Sequence, residues 1–213
     1  MNAFPSKLIT GYRAFHSGRF TPNRDNFKAL REEGQTPETM VIACCDSRAA
    51  PEIVFDAMPG EMFVARNVAN LVPPYRPDDE FHATSAALEF AVQSLKVKNI
   101  IVMGHGACGG IMAALSPNAE PLSPGDFIGK WMELLGPVAE EIAANKWLTD
   151  TERQSALERV SIRYSIANLM TFPCISILVN KDRLALHGAW FDIGLGELWT
   201  MDPDTGDFSK VDA

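Results

Sequence analysis

Apolar and polar positions follow two rhythms along this chain. Met40-Val41-Ile42-Ala43 and Ile100-Ile101-Val102-Met103 are short apolar runs without polar interruption. Such runs, closed by glycine or another small residue, read as buried strands. Met62 to Ala65 reads as a further strand. Ala83 to Lys96 carries Ala87, Leu88, Ala91, Val92 and Leu95 on one helical stripe, with Thr84 near its start. Strand, helix and strand with buried runs signal a right-handed parallel unit. Upstream, Leu8, Ile9, Tyr12 and Phe15 predict a helix over Pro5 to Phe15. A second is predicted from Pro22 to Glu33, with Thr21 as N-cap. These helices form an N-terminal arm over residues 1–34, and an amphipathic stripe does not say whose core it joins.

Short helices are expected from Pro51 through Phe55 and from Gly109-Gly110 through Leu115. Ser116 to Gly125 is a Pro-rich connection including Pro117. Asp126 is placed to cap a helix through about Ala144, with Phe127, Trp131, Leu134, Leu135 and Val138 inward and a kink at Pro137. Another helix runs from Glu152 to Met170 and stops at Pro173. Cys174 to Val179 reads as strand by β-branching. Leu184 to Ile193 and Glu197 to Met201 make a hairpin through Gly194 and Gly196. The expected fold class is α/β: a mainly parallel central sheet with flanking helices, an N-terminal helical arm and a C-terminal antiparallel hairpin. No repeat or linker divides residues 1–213, so a single domain is expected.

Composition narrows the function classes. The chain has 213 residues, 46% hydrophobic and 22% charged, ordinary for one folded domain with a full core. A net charge of −8 argues against a nucleic-acid partner, which normally meets a basic face. No apolar run approaches the ~20 residues of a membrane span. Met1 to Pro5 opens no hydrophobic signal segment. Four cysteines in a chain this long do not make a disulfide framework. A reducing cytoplasm fits, and it keeps thiolates free.

Chemistry concentrates where the two apolar runs end. The first leads into Cys44-Cys45-Asp46-Ser47-Arg48, the second into Gly104-His105-Gly106-Ala107-Cys108. Parallel neighbours would bring Cys44, His105 and Cys108 to the carboxyl edge of the sheet, where open α/β folds place their sites. Two thiolates and an imidazole are the donor set of a catalytic zinc with one position left for water. Two thiolates also cancel the dication's formal charge, so bound water is less acidified than at an all-histidine site. Asp46 is placed to accept the hydrogen of zinc-bound hydroxide, or to take the open position itself. Arg48 can grip Asp46 in a bidentate pair and hold it off the metal. Any one cysteine alone is more simply a small buried hydrophobe, but unpaired Asp and Arg are not explained by packing. Cys45 and Cys174 are read as core residues.

A competing motif overlaps: Gly104-His105-Gly106-Ala107-Cys108-Gly109 fits G-x-G-x-x-G between a strand and a helix. It lacks the acidic strand end about 20 residues on and leaves the first motif unexplained. The backbone N–H of Gly109 opens a helix, where an anion is favoured, although capping alone also accounts for glycine there. His187 is read as a hydrogen-bonded structural residue and His16 and His82 as surface residues. His82, directly after the loop Arg66 to Phe81, is also a candidate proton carrier.

Three stretches in order, Ala43-Cys44-Cys45-Asp46-Ser47-Arg48, Pro59 to Asn70 (PGEMFVARNVAN) and Gly104-His105-Gly106-Ala107-Cys108-Gly109-Gly110, resemble the β-class carbonic anhydrases, closest to the plant-type subset. The resemblance implies one zinc on Cys44, His105 and Cys108, with Asp46 and Arg48 as catalytic dyad, and reversible hydration of carbon dioxide to bicarbonate. It places Phe63 and Val68 in an apolar pocket for this neutral, dipole-free substrate, and it places Gln35 and Phe81 in the same pocket. Tyr is common where Phe81 stands, and Ser where Gly106 stands, so hydrogen bonding in the pocket departs from the family's. The resemblance favours helix over strand for Cys174 to Val179. It also implies an arm that embraces a second subunit, giving a homodimer or dimer of dimers. Two rivals stay open: hydrolysis of a related small molecule such as carbon disulfide, and a non-enzymatic zinc- or nucleotide-binding module.

Overall fold

The computed structural model describes residues 3–116 and 120–212, so Pro117 and the first two residues lie outside the described residues. Two compact units divide the chain, Met1–Thr36 and Pro37–Ala213. In the N-terminal unit, α1 (Ser6–Phe15) widens into a π-turn over His16–Phe20 before α2 (Arg24–Glu33). Phe15, Phe20 and Phe27 pack edge-on or tilted, 5.1–6.4 Å between ring centres. Thr21 does not cap α2 as predicted. Its hydroxyl donates to the His16 carbonyl at 2.8 Å and closes the preceding turn, so α2 starts later.

The larger unit is built on a six-stranded sheet in the order β2-β1-β3-β4-β5-β6. Its strands are β1 (Thr39–Cys44), β2 (Met62–Asn67), β3 (Asn99–His105), β4 (Ala185–Asp192), β5 (Glu197–Met201) and β6 (Phe208–Lys210). The first four run parallel and the last two antiparallel. The predicted mixed sheet is therefore present, with β6 an addition that the sequence pattern did not announce. Helices α3 (Pro51–Val54), α4 (Ala83–Glu89), α5 (Gly109–Ala114), α6 (Phe127–Met132), α7 (Gly136–Ala144), α8 (Asp150–Leu169) and α9 (Pro173–Val179) complete it. α9 is helical, against the β-branched reading and in line with the resemblance: Pro173 sits in its first turn and starts it. Pro137 likewise begins α7 after a 3-10 turn instead of kinking one long helix. Phe127 is exposed, because it heads the first turn of α6.

Helix α8 decides where the core sits. Thr149 and Glu152 close a capping box at its start. Its inward stripe, Leu157, Glu158, Ser161, Ile162, Ser165, Asn168 and Leu169, is buried. Gly104 and Gly188, on adjacent strands, make room for Ile162: a Cβ on either would lie 2.9 Å from an Ile162 methyl carbon. Ser165 and Asn168 hold the long loop after β2, which carries Pro73, Pro74 and Pro77. The Val72 N–H donates to Ser165 Oγ at 3.2 Å and Asn168 Nδ2 donates to the Val72 carbonyl at 2.7 Å. Thr171 Oγ1 accepts from the Tyr75 N–H at 2.7 Å. Ser165 and Asn168 of α8, with Thr171 just beyond it, thus pair backbone groups of Val72 and Tyr75 that no ladder pairs.

Alternation along the strands sorts the core. Met40, Ile42, Ile100 and Val102 face α4, α8 and α9 in one cluster, while Val41, Ala43, Met103 and Ala189 pack on the opposite face. A third cluster gathers Cys44, Ala69, Leu71, Cys108, Ile111, Leu135 and Leu157. Among the described residues, no single helix is long and apolar enough to cross a membrane.

Candidate metal centre

The register of β1 on β3 carries the predicted convergence. Ala43 pairs with Met103, so Cys44 and His105 leave the sheet side by side at its carboxyl edge. The chain then turns through Ala107, at a left-handed φ of 54°, and brings Cys108 back. The ligating atoms of Cys44, His105 and Cys108 all lie within 4.8 Å of one another, and their relative exposures are 6%, 1% and 1%. The Cys44 and Cys108 sulfurs are 3.9 Å apart. Two thiolates on one tetrahedral zinc, each at ~2.3 Å, would stand ~3.8 Å apart. His105 Nδ1 lies 2.9 Å from the Gly106 carbonyl, which fixes the proton there and leaves Nε2 as the free lone pair. Nε2 is buried with no hydrogen-bond partner among the described residues. An orphaned imidazole nitrogen beside two thiols is the donor set that zinc satisfies.

Electrostatics split the two sulfurs: the hydrogen shared with Cys44, together with burial, pushes the Cys108 thiol up. Sharing a hydrogen with Cys108 lowers the Cys44 pKa to about 4, against burial. The Ala69 N–H adds a contact to Cys44 Sγ at 3.4 Å. That N–H is delivered by two consecutive left-handed residues, Ala69 (φ 63°) and Asn70 (φ 50°). Asn67 enforces the turn: its amide accepts from the Leu71 N–H at 2.9 Å and donates to the Leu71 carbonyl at 2.8 Å. Arg66 secures the other side, donating from Nε to the Cys44 carbonyl at 2.8 Å and from Nη2 to the Asp46 carbonyl at 2.6 Å.

Asp46 and Arg48 form the bidentate pair that their spacing predicted. Arg48 Nε donates to Oδ1 at 2.9 Å and Nη2 to Oδ2 at 2.7 Å. The Arg48 N–H also donates to Oδ1, and Nη2 reaches the Ala107 carbonyl at 3.2 Å. These bonds hold the Asp46 carboxyl well below the usual carboxylate range. Oδ2 lies 3.9 Å from His105 Nε2, beside the donor cluster.

A match to the family model described as carbonic anhydrase covers residues 39–198. "Beta carbonic anhydrase 3" of Arabidopsis thaliana is 34% identical over 202 residues, 92% of this chain and 77% of that protein. This chain belongs to the β-carbonic anhydrases. The solved β-carbonic anhydrase CcaA superposes with a TM-score of 0.89 at 29% identity, covering 98% of this chain and 92% of that one. A tetrameric β-carbonic anhydrase from Sordaria macrospora gives 0.78 at 30% identity, covering 96% and 98%.

Within that family fold, the other expected residues divide. Val68 and Phe81 share an apolar cleft of about 490 Å³ with Thr84, Phe127 and Trp131. Val68 and Gly109 border a second of about 560 Å³. The donor residues line neither cleft, and the link is local: Ala69, next to Val68, reaches Cys44. Phe63 does not join Val68. Its face of β2 packs toward the core cluster under α4, with the Phe90 ring 5.7 Å away. Gln35 is exposed and falls in the N-terminal unit. Cys45 is exposed, not core, because β1 ends at Cys44 and alternation ends with it. Cys174 is half-buried beside the main core. His187 bonds to Asn99 Oδ1 at 3.1 Å, and exposed His82 pairs with Asp78 at 2.6 Å. Arg66, Asn67 and Glu158 hold the site although no role was read for them.

Proposed function

We propose that this chain catalyses the reversible hydration of carbon dioxide to bicarbonate and a proton, with one zinc per chain on Cys44, His105 and Cys108. The observation that carries this is the buried, unpartnered His105 Nε2, which sits with two sulfurs 3.9 Å apart and with Asp46 Oδ2 3.9 Å away. Zinc bound there acidifies a coordinated water and so supplies a nucleophile near neutral pH. Asp46 accepts the hydrogen of the attacking O–H group and aims the oxygen's lone pair at the substrate carbon. Arg48 holds both carboxylate oxygens and keeps Asp46 in that pose. The cleft of Val68 and Phe81 offers an apolar approach for a neutral substrate. The N–H of Gly109 at the start of α5 favours the bicarbonate product. Gln35 and Phe63 are assigned to the pocket on the resemblance alone, and the packing of Phe63 weighs against its share.

The α1 helix buries none of its residues, and Leu8, Tyr12 and Phe15 stay exposed. This favours an arm that clasps a second copy, within a homodimer or dimer of dimers. The whole of residues 1–213 then works as one catalytic domain. Free thiols at all four cysteines suit a reducing compartment, the cytoplasm being the one expected. Stopped-flow carbon dioxide hydration by Arg48→Ala tests the dyad. The expected result is a fall in kcat of about 100-fold, the scale of a misplaced catalytic group, with zinc content unchanged. Unaltered kcat would overturn the assignment.

A further inference from the structure

Glu158, on the inward stripe of α8, is 2% exposed. Every group bonded to its carboxylate is a donor. The Cys108 N–H and Gln154 Nε2 reach Oε1, each at 3.1 Å, and Trp190 Nε1 reaches Oε2 at 3.1 Å. Among the described residues no Lys, Arg or His side chain forms an ion pair with it. A buried carboxylate without a cation is costly, so packing alone does not account for Glu158. What it touches gives the reason for a charge. Oε1 holds the backbone of one metal donor. Oε2 holds an indole whose Cζ2 would stand 3.1 Å from a Cβ at Gly106, the residue after His105 in the turn that leads to Cys108.

We infer that Glu158 is a positioning residue of the metal centre. Its carboxylate fixes the His105–Cys108 turn from behind, through the Cys108 N–H on one oxygen and Trp190 on the other. The inference rests on the zinc reading above. Residues that orient metal ligands in this way typically change metal affinity 10–100-fold when altered.

The test uses the full chain. Zinc affinity is measured by competition with a chromophoric chelator, and the thiolate-to-metal charge-transfer band is recorded with cobalt(II) in place of zinc. Glu158→Gln keeps the shape but turns an N–H₂ toward a donor. It is expected to bind zinc 10–100-fold more weakly and to shift the cobalt band. Trp190→Phe, which removes the Oε2 donor and leaves Glu158 in place, is expected to weaken zinc binding in the same direction by a smaller factor and carries the test should Glu158→Gln not fold. Ile162→Val, one turn along the same stripe, is expected to lower Tm with affinity and band unchanged. Wild-type affinity and an unshifted band in the folded Glu158→Gln and Trp190→Phe proteins would overturn the inference alone, as would equal weakening by Ile162→Val. A wild-type protein with no charge-transfer band would overturn the zinc reading and this inference with it.

Discussion

Gly106→Ser adds a side chain to the turn between His105 and Cys108. A Cβ built on Gly106 would stand 3.1 Å from Trp190 Cζ2, 3.6 Å from Cη2 and 3.9 Å from Asp192 Cα. Ordinary contact begins nearer 3.4 Å, so the indole must retreat by a few tenths of an ångström. It has little freedom to do so. Trp190 is buried, its Nε1 is bonded to Glu158, and the Arg159 guanidinium lies 4.0 Å over its ring. Overpacking of this kind costs about 1–3 kcal/mol. The φ of Gly106 is not positive, so serine meets no backbone strain and recovers roughly 0.4–1 kcal/mol from a less flexible unfolded chain. The net expectation is a loss of about 1–2 kcal/mol. At ~2–4 °C per kcal/mol for a chain of this size, that lowers Tm by roughly 2–8 °C. The assay is thermal unfolding at one fixed free-zinc concentration, since bound metal shifts Tm by mass action. In Trp190→Phe the contacting ring atoms are absent, so the same serine should be close to neutral there, giving a coupling of about 1 kcal/mol or more in the double-mutant cycle. Equal Tm losses in both backgrounds, or none in the first, would refute the reasoning.

Two further expectations concern the scaffold. Asn67→Ala removes both bonds that clamp Leu71 and should cost about 1–3 kcal/mol in urea unfolding; an unchanged midpoint would mean that the left-handed turn at Ala69 holds without it. Thr149→Ala opens the capping box of α8 and should cost about 1 kcal/mol at neutral pH. The Thr149 N–H and hydroxyl hold Glu152 below its ordinary carboxyl value. Its share of that stability is therefore present above the unfolded value of about 4.5 and lost as pH falls through the lower folded value, so the wild-type and variant midpoints should converge in acid; a constant gap would refute the box.

What could be read from the sequence was what sits at the ends of uninterrupted apolar runs. Cys44 and His105 follow two such runs directly, and Cys108 follows one turn later, so parallel pairing alone brings the three together. The Asp46–Arg48 pair was legible for the same reason: two residues of spacing after a strand end leave few other arrangements. Residues that act through long-range contacts were not legible. Arg66 serves Cys44 and Asp46 across a strand pairing, and nothing local marks that role. Glu158 reaches Cys108 from fifty residues away. Period-2 reasoning also failed where strands stopped, at exposed Cys45. β-branching misread Cys174 to Val179 until Pro173 is counted as a helix start. Phe63 sits in a stretch that matches the motif, while its face of β2 packs against the core cluster.

The most direct test of the central claim is carbon dioxide hydration by the zinc-loaded full chain, followed by stopped flow from about pH 6.5 to 9, beside Cys108→Ala prepared with the same zinc. These pH limits bracket the near-neutral value of catalytic zinc-bound water. Activity that rises with pH in the wild type and is lost in Cys108→Ala is the expected result. Zinc bound at one per chain with no hydration at any pH would contradict the account.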